Sequence, residues 1–592
     1  MGKLATRRRL LLGSVLLIAL AFFAFLELRL TLTGADQVAA VRRDFEATLG
    51  LRIEVSGPIE FRAFPRPHIL ATGVAVSDDN KAIAIDIPSL RASIALAPLL
   101  FGRLTIEDLR LTHPTGVLNV EALRERWPRD RDGVATLGQI SRMPERIAVI
   151  SGLVQIQDER PAVSGILSNL QLVVSGLPSG AVSFNGRSDW HGTPAEFSGQ
   201  LDTVQSLRAE RPTTGFVKIK SRDLSLSLSG TLAAGWRGQF TGVAAGSTPS
   251  LATALKLGGW PTLGAGEVEH ASFSGPVEQT EDGLVFPNAR LVLNKTALEG
   301  TLAFQHNGGL VGTLATEALD LTPFMAGVPA AVGTDGMWNS SAFESAFKAM
   351  RDVDIRVSAS QLQIGKFEAD DAALSALCRN GHLELSLGEA RAYGGLVKAR
   401  LLASPVDQAM QIRLEASASR LDLEEMNELM RLEPGRIKGW ANASLMVEGR
   451  GDSLQALIAS SHGRGQLGIR QGRATGIPRM AGLLKPPIAP ANDPGTAIFD
   501  LVTASGDIKG GTVYVRDGSI EKSSEKLTLA GELSLLDRSY HLSVAKPPLD
   551  EGLSDLKAGA VLGSRTAVTG GLSAQDRVRE PFTAGGTDAF YP

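Results

Sequence analysis

Hydrophobic and polar residues alternate along most of this chain. Leu224, Leu226 and Leu228 are separated by serines, and Val353, Ile355 and Val357 by Asp354 and Arg356. Leu383, Leu385 and Leu387 repeat the pattern, as do Val513 and Val515. A period of two places every apolar member of a run on one face of a β-strand. Gly, Asn and Asp punctuate the runs, as hairpin turns require. The expected result is a mainly β protein built from antiparallel strands with one apolar face.

Helical spacing is rare. Residues 35–49 carry Val38, Val41, Phe45 and Leu49 on one stripe, and Gly50 follows as a stop. Residues 250–257 and 422–430 predict short helices. Loose repeats of Gly-Thr-Leu at Gly230, Gly300 and Gly312 suggest stacked β units without a strict period.

A different pattern opens the chain. Residues 10–26, with Leu10, Leu17, Phe22, Phe23 and Leu26, contain no charge. At 1.5 Å per residue this run of about 17 residues spans about 25 Å, at the short limit for a bilayer core. Arg7, Arg8 and Arg9 precede it, and such a cluster stays on the cytoplasmic side. The reading is a retained single-pass anchor over residues 10–30, with a cytoplasmic stub over 1–9 and the bulk of the chain outside the cytoplasm. A cleaved signal peptide is the competing reading. The bulky segment from Phe22 to Leu26 offers no small-x-small cleavage site, although Val38-Ala39-Ala40 lies further on.

Composition narrows the chemistry. The single cysteine, Cys378, excludes an intramolecular disulfide framework and sits in an apolar stretch that reads as core. A net charge of −3 gives no electrostatic bias towards nucleic acid. The eight histidines are scattered singly, so neither a metal site nor a cofactor is expected. Gly463-Arg464-Gly465-Gln466-Leu467-Gly468 matches a dinucleotide-binding fingerprint, but no helix pattern follows it, and strand punctuation is the better reading. Asp370-Asp371 and Glu424-Glu425 read as solvated pairs. No nucleophile–base constellation emerges, and the chain is not expected to be an enzyme.

Several segments form a recognisable set. At the N-terminal end these are Thr48-Leu49-Gly50-Leu51-Arg52-Ile53, Gly57-Pro58-Ile59-Glu60-Phe61, and Ala97-Pro98-Leu99-Leu100-Phe101-Gly102-Arg103-Leu104, followed by Leu109-Arg110-Leu111-Thr112-His113-Pro114. Further on they are Leu387-Gly388-Glu389-Ala390-Arg391-Ala392-Tyr393-Gly394-Gly395 and the Gly-rich stretch 445–477. Together these segments resemble the AsmA family of bacterial envelope proteins. The resemblance divides the chain into an N-terminal region (35–120), a central β region (121–350) and a C-terminal β region (351–545). It ends before a Gly-, Pro- and Ala-rich tail (546–592), where only residues 567–569 suggest a strand.

The family is similar to the chorein-type, bridge-like lipid transfer proteins. The resemblance therefore implies a long twisted antiparallel sheet curled into an elongated apolar groove. It also implies passive phospholipid transport between envelope membranes in support of outer-membrane integrity. The implied partners are membrane lipids, the inner membrane and an outer-membrane or envelope protein. The eleven alternating apolar residues named above become the groove-lining candidates. Alternation by itself favours an ordinary sandwich core, and it is the resemblance that turns the reading to a groove. An assembly factor that pairs client strands with a sheet edge is a second functional reading, and an envelope hydrolase a third.

Overall fold

A computed structural model describes residues 51–62, 66–78, 82–100, 105–120, 122, 144–158, 164–177, 180–190, 192–203, 211–233, 239–257, 265, 267–325, 331, 337–342, 352–407, 409–427, 429, 435–475, 496–537, 539–545 and 566–571. The chain divides into two units. The first comprises Met1–Pro249, Lys256–Gly259 and Ser272–Glu281; the second comprises Ser250–Leu255, Trp260–Ala271 and Asp282–Pro592.

The first unit opens with β1 (Leu51–Val55) and β2 (Ile59–Arg62), both paired with β3 (His68–Asp78). Next come β4 (Ile83–Ile94), helix α1 (Leu96–Leu100), β5 (Ile106–Thr112), β6 (Thr115–Asn119) and β7 (Arg146–Gln157). A run of hairpins follows: β8 (Gly165–Gly176), β9 (Val182–Trp190), β10 (Thr193–Leu201), β11 (Thr213–Ser221), β12 (Ser225–Leu232) and β13 (Phe240–Thr248). Each of these pairs antiparallel with its predecessor. Helix α2 (Leu251–Leu257) and β14 (Ala271–Gln279) lie where the chain passes between units.

The second unit begins with β15 (Gly283–Leu293), β16 (Thr296–Gln305), β17 (Leu310–Asp320) and helix α3 (Thr322–Met325). It continues with β18 (Val353–Ile364), β19 (Phe367–Arg379), β20 (His382–Ala392), β21 (Gly395–Val406), β22 (Ala409–Asp422) and β23 (Ile437–Gly451). Helix α4 (Leu454–Ala459) precedes β24 (His462–Thr475), β25 (Thr496–Lys509), β26 (Thr512–Lys522), β27 (Glu525–Ser534), β28 (Ser539–Ala545) and β29 (Thr566–Gly571). From β15 to β29 each strand pairs with the next in sequence.

The expectation of purely antiparallel pairing is corrected at two places. Strand β7 runs parallel to both β5 and β6, and β18 runs parallel to β17. Strands β5 and β6 behave as one strand interrupted at His113-Pro114, because β4 pairs antiparallel with both. A parallel step needs a long crossover instead of a tight turn. Both steps coincide with long gaps between strands, before Arg146 and before Val353.

Local chemistry explains the hairpins. Asn380-Gly381 and Tyr393-Gly394 have positive φ at both positions, the conformation of the two-residue turns that match strand twist. Register shifts interrupt the ladders at Leu387/Ala390, Ala418/Leu421, Lys438/Trp440 and Val515/Gly518. Such bulges bend a strand and reset its alternation, which is why Leu387 and Ala390, three residues apart, share a face.

Of the expected helices, that over 250–257 is present as α2. Over 422–430 the described residues depart from the expected helix: β22 extends to Asp422 and a 3-10 turn (Glu425–Asn427) follows, while residues 428 and 430 lie outside the described residues. Asp422 and Asn427 side chains bond the local backbone there, holding a turn and not a helix. The expected strand at 567–569 lies within β29. Residues 7–9, the anchor residues from Leu10 to Leu26 and the helix over 35–49 lie outside the described residues. Among the described residues no helix is long and apolar enough to cross a membrane.

Candidate functional site

Cross-strand partners point to the same face of a sheet, so the register shows which side chains share a surface. In the second unit one row begins at Phe286. It passes through Leu302, Gly312, Ile355, Ala376, Leu385, Leu401, Leu414, Val447, Gly463 and Ile508 to Val513. The row beside it runs from Ala289 through Gly300, Leu314, Val357, Leu374, Leu387, Ala399, Ala416, Leu445, Gly465 and Gly506 to Val515. Neither row contains a polar side chain. At about 4.8 Å per strand the two rows extend for about 50 Å.

The first unit repeats the arrangement. Ile59, Ala71, Leu90, Leu111, Val149, Leu172, Gly186, Phe197, Ile219, Leu226 and Gly246 form one continuous row. Glycine has a specific use here. A Cβ at Gly186 would meet the Phe197 ring at 2.5 Å, and one at Gly199 would meet the Phe184 ring at 2.5 Å. Each ring lies over a glycine of the neighbouring strand, which keeps bulky aromatics flat on the face.

What covers this surface decides between a core and a binding face. The buried clusters are lateral: Cys378, Leu383, Ala403 and Met410 come from β19 to β22, and Ala474, Ala497, Phe499, Ile520, Leu527 and Val544 from β24 to β28. In a sandwich, side chains of a second sheet would interdigitate with them. Among the described residues of these clusters none comes from an opposing sheet. Burial is deepest towards the strand ends. The mid-strand residues Val217, Ile219 and Leu228 in the first unit, and Leu385, Leu445 and Leu467 in the second, remain 37–42 % exposed. Three large aliphatic side chains in each unit are thus left in contact with water on that unit's own apolar face.

Short elements close parts of this face. Helix α4 is capped by Ser453, whose hydroxyl accepts from the Ala456 amide at 3.3 Å. It packs so tightly on β23 that a Cβ at Gly449 would sit 2.5 Å from the Leu457 carbonyl oxygen. The 3-10 turn places Leu423 and Met426 against Leu421 and Ala441.

The opposite face is mainly polar, with single exposed apolar side chains at Phe216, Val243, Val311 and Leu396. Ser358, Glu384, Arg400, Ser417, Glu448 and Gln466 occupy it, one residue out of phase with the apolar rows. Three surface recesses are lined chiefly by such polar-face residues. One holds Gln361, Glu368, Asp370 and Arg391, one holds Arg146, Arg187, Lys218 and Lys220, and one holds Ser444, Gln466, Thr503 and Asp517.

The structure brings most of the sequence-selected residues together. Val353, Ile355, Val357, Leu383, Leu385, Leu387, Val513 and Val515 share the apolar face of the second unit. Leu226 and Leu228 lie on that of the first. Leu224 is corrected to a turn position: its carbonyl accepts the Ser221 amide at 2.8 Å, and β12 starts one residue later. The fingerprint glycines Gly463, Gly465 and Gly468 lie inside β24. Cys378 is 1 % exposed, and burial raises its thiol above the ordinary cysteine value despite a hydrogen bond from the Gly381 backbone. Asp371 pairs with Arg391, and Glu424 with Lys438 at 2.5 Å.

Sequence reading missed the Ala and Gly members of the rows, such as Ala376, Ala399, Ala416 and Gly506. Each occupies the apolar phase of its strand, so phase, not hydrophobicity, was the usable signal.

The family model described as the AsmA family matches residues 155–517, more than half of the chain. No curated protein and no solved structure matches it.

Proposed function

The chain belongs to the AsmA family, and we propose that it is an envelope lipid-transport protein whose uncovered apolar face carries acyl chains while head groups stay in water. The observation that carries this reading is the mid-strand apolar surface left exposed at Leu385, Leu445 and Leu467. An acyl chain gains about 0.8 kcal/mol for each CH₂ removed from water, so a sixteen-carbon tail needs about 12 kcal/mol of replacement contact to leave a bilayer. A lining of aliphatic side chains supplies such contact without specific chemistry, and no catalytic group is required. In this proposal the face lines a groove, residues 10–30 anchor the chain in the inner membrane of a bacterium, and Arg7, Arg8 and Arg9 hold the N-terminus in the cytoplasm. The bulk of the chain then works in the periplasm and supports the outer membrane by supplying phospholipid.

The test is purification of the full chain followed by mass spectrometry of bound lipid. The expected result is phospholipid retained in stoichiometric amount through detergent exchange. Retention no greater than that of an unrelated single-span protein, together with crosslinks from strand edges to client proteins, would replace lipid transport with an assembly role.

A further inference from the structure

The polar face of the first unit carries a concentration of positive charge that neither the apolar face nor the lipid path uses. A recess of about 800 Å³ is rimmed by Arg110 on β5, Arg146 on β7, Arg187 on β9, and Lys218 and Lys220 on β11. All five side chains are exposed. Ala148, Val173 and Ser198 form its small, neutral floor. Glu196 faces Arg187 and Lys220 across the register and is the one carboxylate among the described lining residues. The rim thus carries a local excess of positive charge on a chain whose net charge is −3.

The second unit shows how this sheet ordinarily treats its polar-face cations. Arg290 pairs with Glu299 at 3.1 Å, Lys398 with Glu389 at 2.9 Å, Arg400 with Glu384 at 2.8 Å and Lys526 with Glu521 at 2.8 Å. Among the described residues, only Arg110 in the recess has such a partner, Asp108 at 3.0 Å. Arg187 donates to the Gln171 amide oxygen at 3.0 Å, and Lys218 lies 5.4 Å from the centre of the Phe216 ring. Among the described residues neither Arg146 nor Lys220 makes an ion pair. The five cations thus outnumber the carboxylates beside them, Asp108 and Glu196, and such an excess of positive charge is satisfied by an external anion.

We infer that this basic recess docks the first unit on an anionic membrane surface, with lipid phosphates meeting the five cations. The geometry selects a surface over a small anion. From β5 to β11 the cations spread over five strand spacings, about 24 Å, so one phosphate reaches only one or two of them. A leaflet presents many phosphates in a layer and reaches them all. The inference rests on the proposed function only in placing the protein beside a membrane.

The test uses the full chain held in a non-ionic amphipol, so that any apolar segment stays covered. Binding is measured by flotation with vesicles of phosphatidylcholine alone or doped with phosphatidylglycerol. Binding to the anionic vesicles only is expected. Each Lys or Arg at an anionic surface contributes about a fivefold factor, so the Arg146→Gln/Lys220→Gln variant should bind about 25-fold more weakly. Lys398→Gln/Arg400→Gln makes the same change in net charge on the second unit and should leave binding intact. Equal loss in both variants, or no loss in the first, overturns the docking site. Tighter binding of soluble polyphosphate than of vesicles overturns it in favour of a soluble polyanion. Far-ultraviolet circular dichroism checks that each variant is folded. Bound phospholipid, measured in parallel, should not change in the recess variant, which separates failure of this inference from failure of the transport reading.

Discussion

Replacing Leu445 by aspartate puts a charge in the middle of the apolar face of β23, where the leucine is 37 % exposed. Its effect on the empty protein is modest. Full burial of a leucine is worth about 1.5–3 kcal/mol, and rather more than half of this side chain is covered, so Leu445→Asp costs the fold about 1–2 kcal/mol. The effect on a bound acyl chain is larger. A carboxylate retains its water, and if it holds off about three CH₂ groups of a passing tail the loss is about 2.4 kcal/mol, or roughly sixtyfold in affinity. Ser444 supplies the control. It is the adjacent residue of the same strand, exposed on the polar face, and pairs across the register with Ser417 and Gln466. Ser444→Asp introduces the same charge without touching the apolar rows. Phospholipid per chain, quantified by mass spectrometry after graded detergent washes, should fall sharply for Leu445→Asp and stay at the parental level for Ser444→Asp. Equal retention by the two variants would rule out the apolar face as the lipid site, because face is the one property in which they differ.

Two further outcomes follow from the packing. Gly449→Ala pushes a Cβ to within 2.5 Å of the α4 backbone at Leu457. It should destabilise the second unit by about 1–3 kcal/mol, read as a lower chemical-denaturation midpoint. Cys378 should react with maleimide only on unfolding. Its thiol is raised by burial, so its contribution to folding is complete below the unfolded-state value and is lost as pH climbs through the higher folded value. Rapid labelling of native protein at neutral pH would contradict its placement in the cluster with Leu383 and Met410.

Much of this architecture can be read from alternation, because period two fixes which side chains share a face. Leu383, Leu385 and Leu387 are legible for that reason, and so is the rejection of a helix after Gly468. Alternation does not specify the direction of a neighbouring strand. The parallel steps at β7 and β18 are set by chain crossovers, whose only trace in the sequence is the lack of pattern before Arg146 and Val353. Leu224 was misleading because the Ser221 hydroxyl and the Leu224 carbonyl close a turn that continues the apolar period without continuing the strand. Bulges hide other members of the face: Ala390 falls out of phase with Leu387 and returns to it only through the shift between them. The basic recess is invisible in the linear sequence. Arg110 and Lys218 are distant in the chain, and only the lateral stacking of β5 to β11 gathers their charges.

The lateral clusters have a thermodynamic consequence. A globular domain completes its core with a second layer of its own chain. Among the described residues these strands have apolar neighbours beside them and, at mid-strand, part-exposed side chains above, so no second layer completes the clusters. Cargo on the face would act as that layer. Any ligand bound only by the folded state raises the free energy of unfolding by RT ln(1 + L/Kd), where L is its free concentration. If lipid is the cargo, as proposed, the melting temperature of this protein would become a gauge of its load, lower for a delipidated sheet than for a filled one.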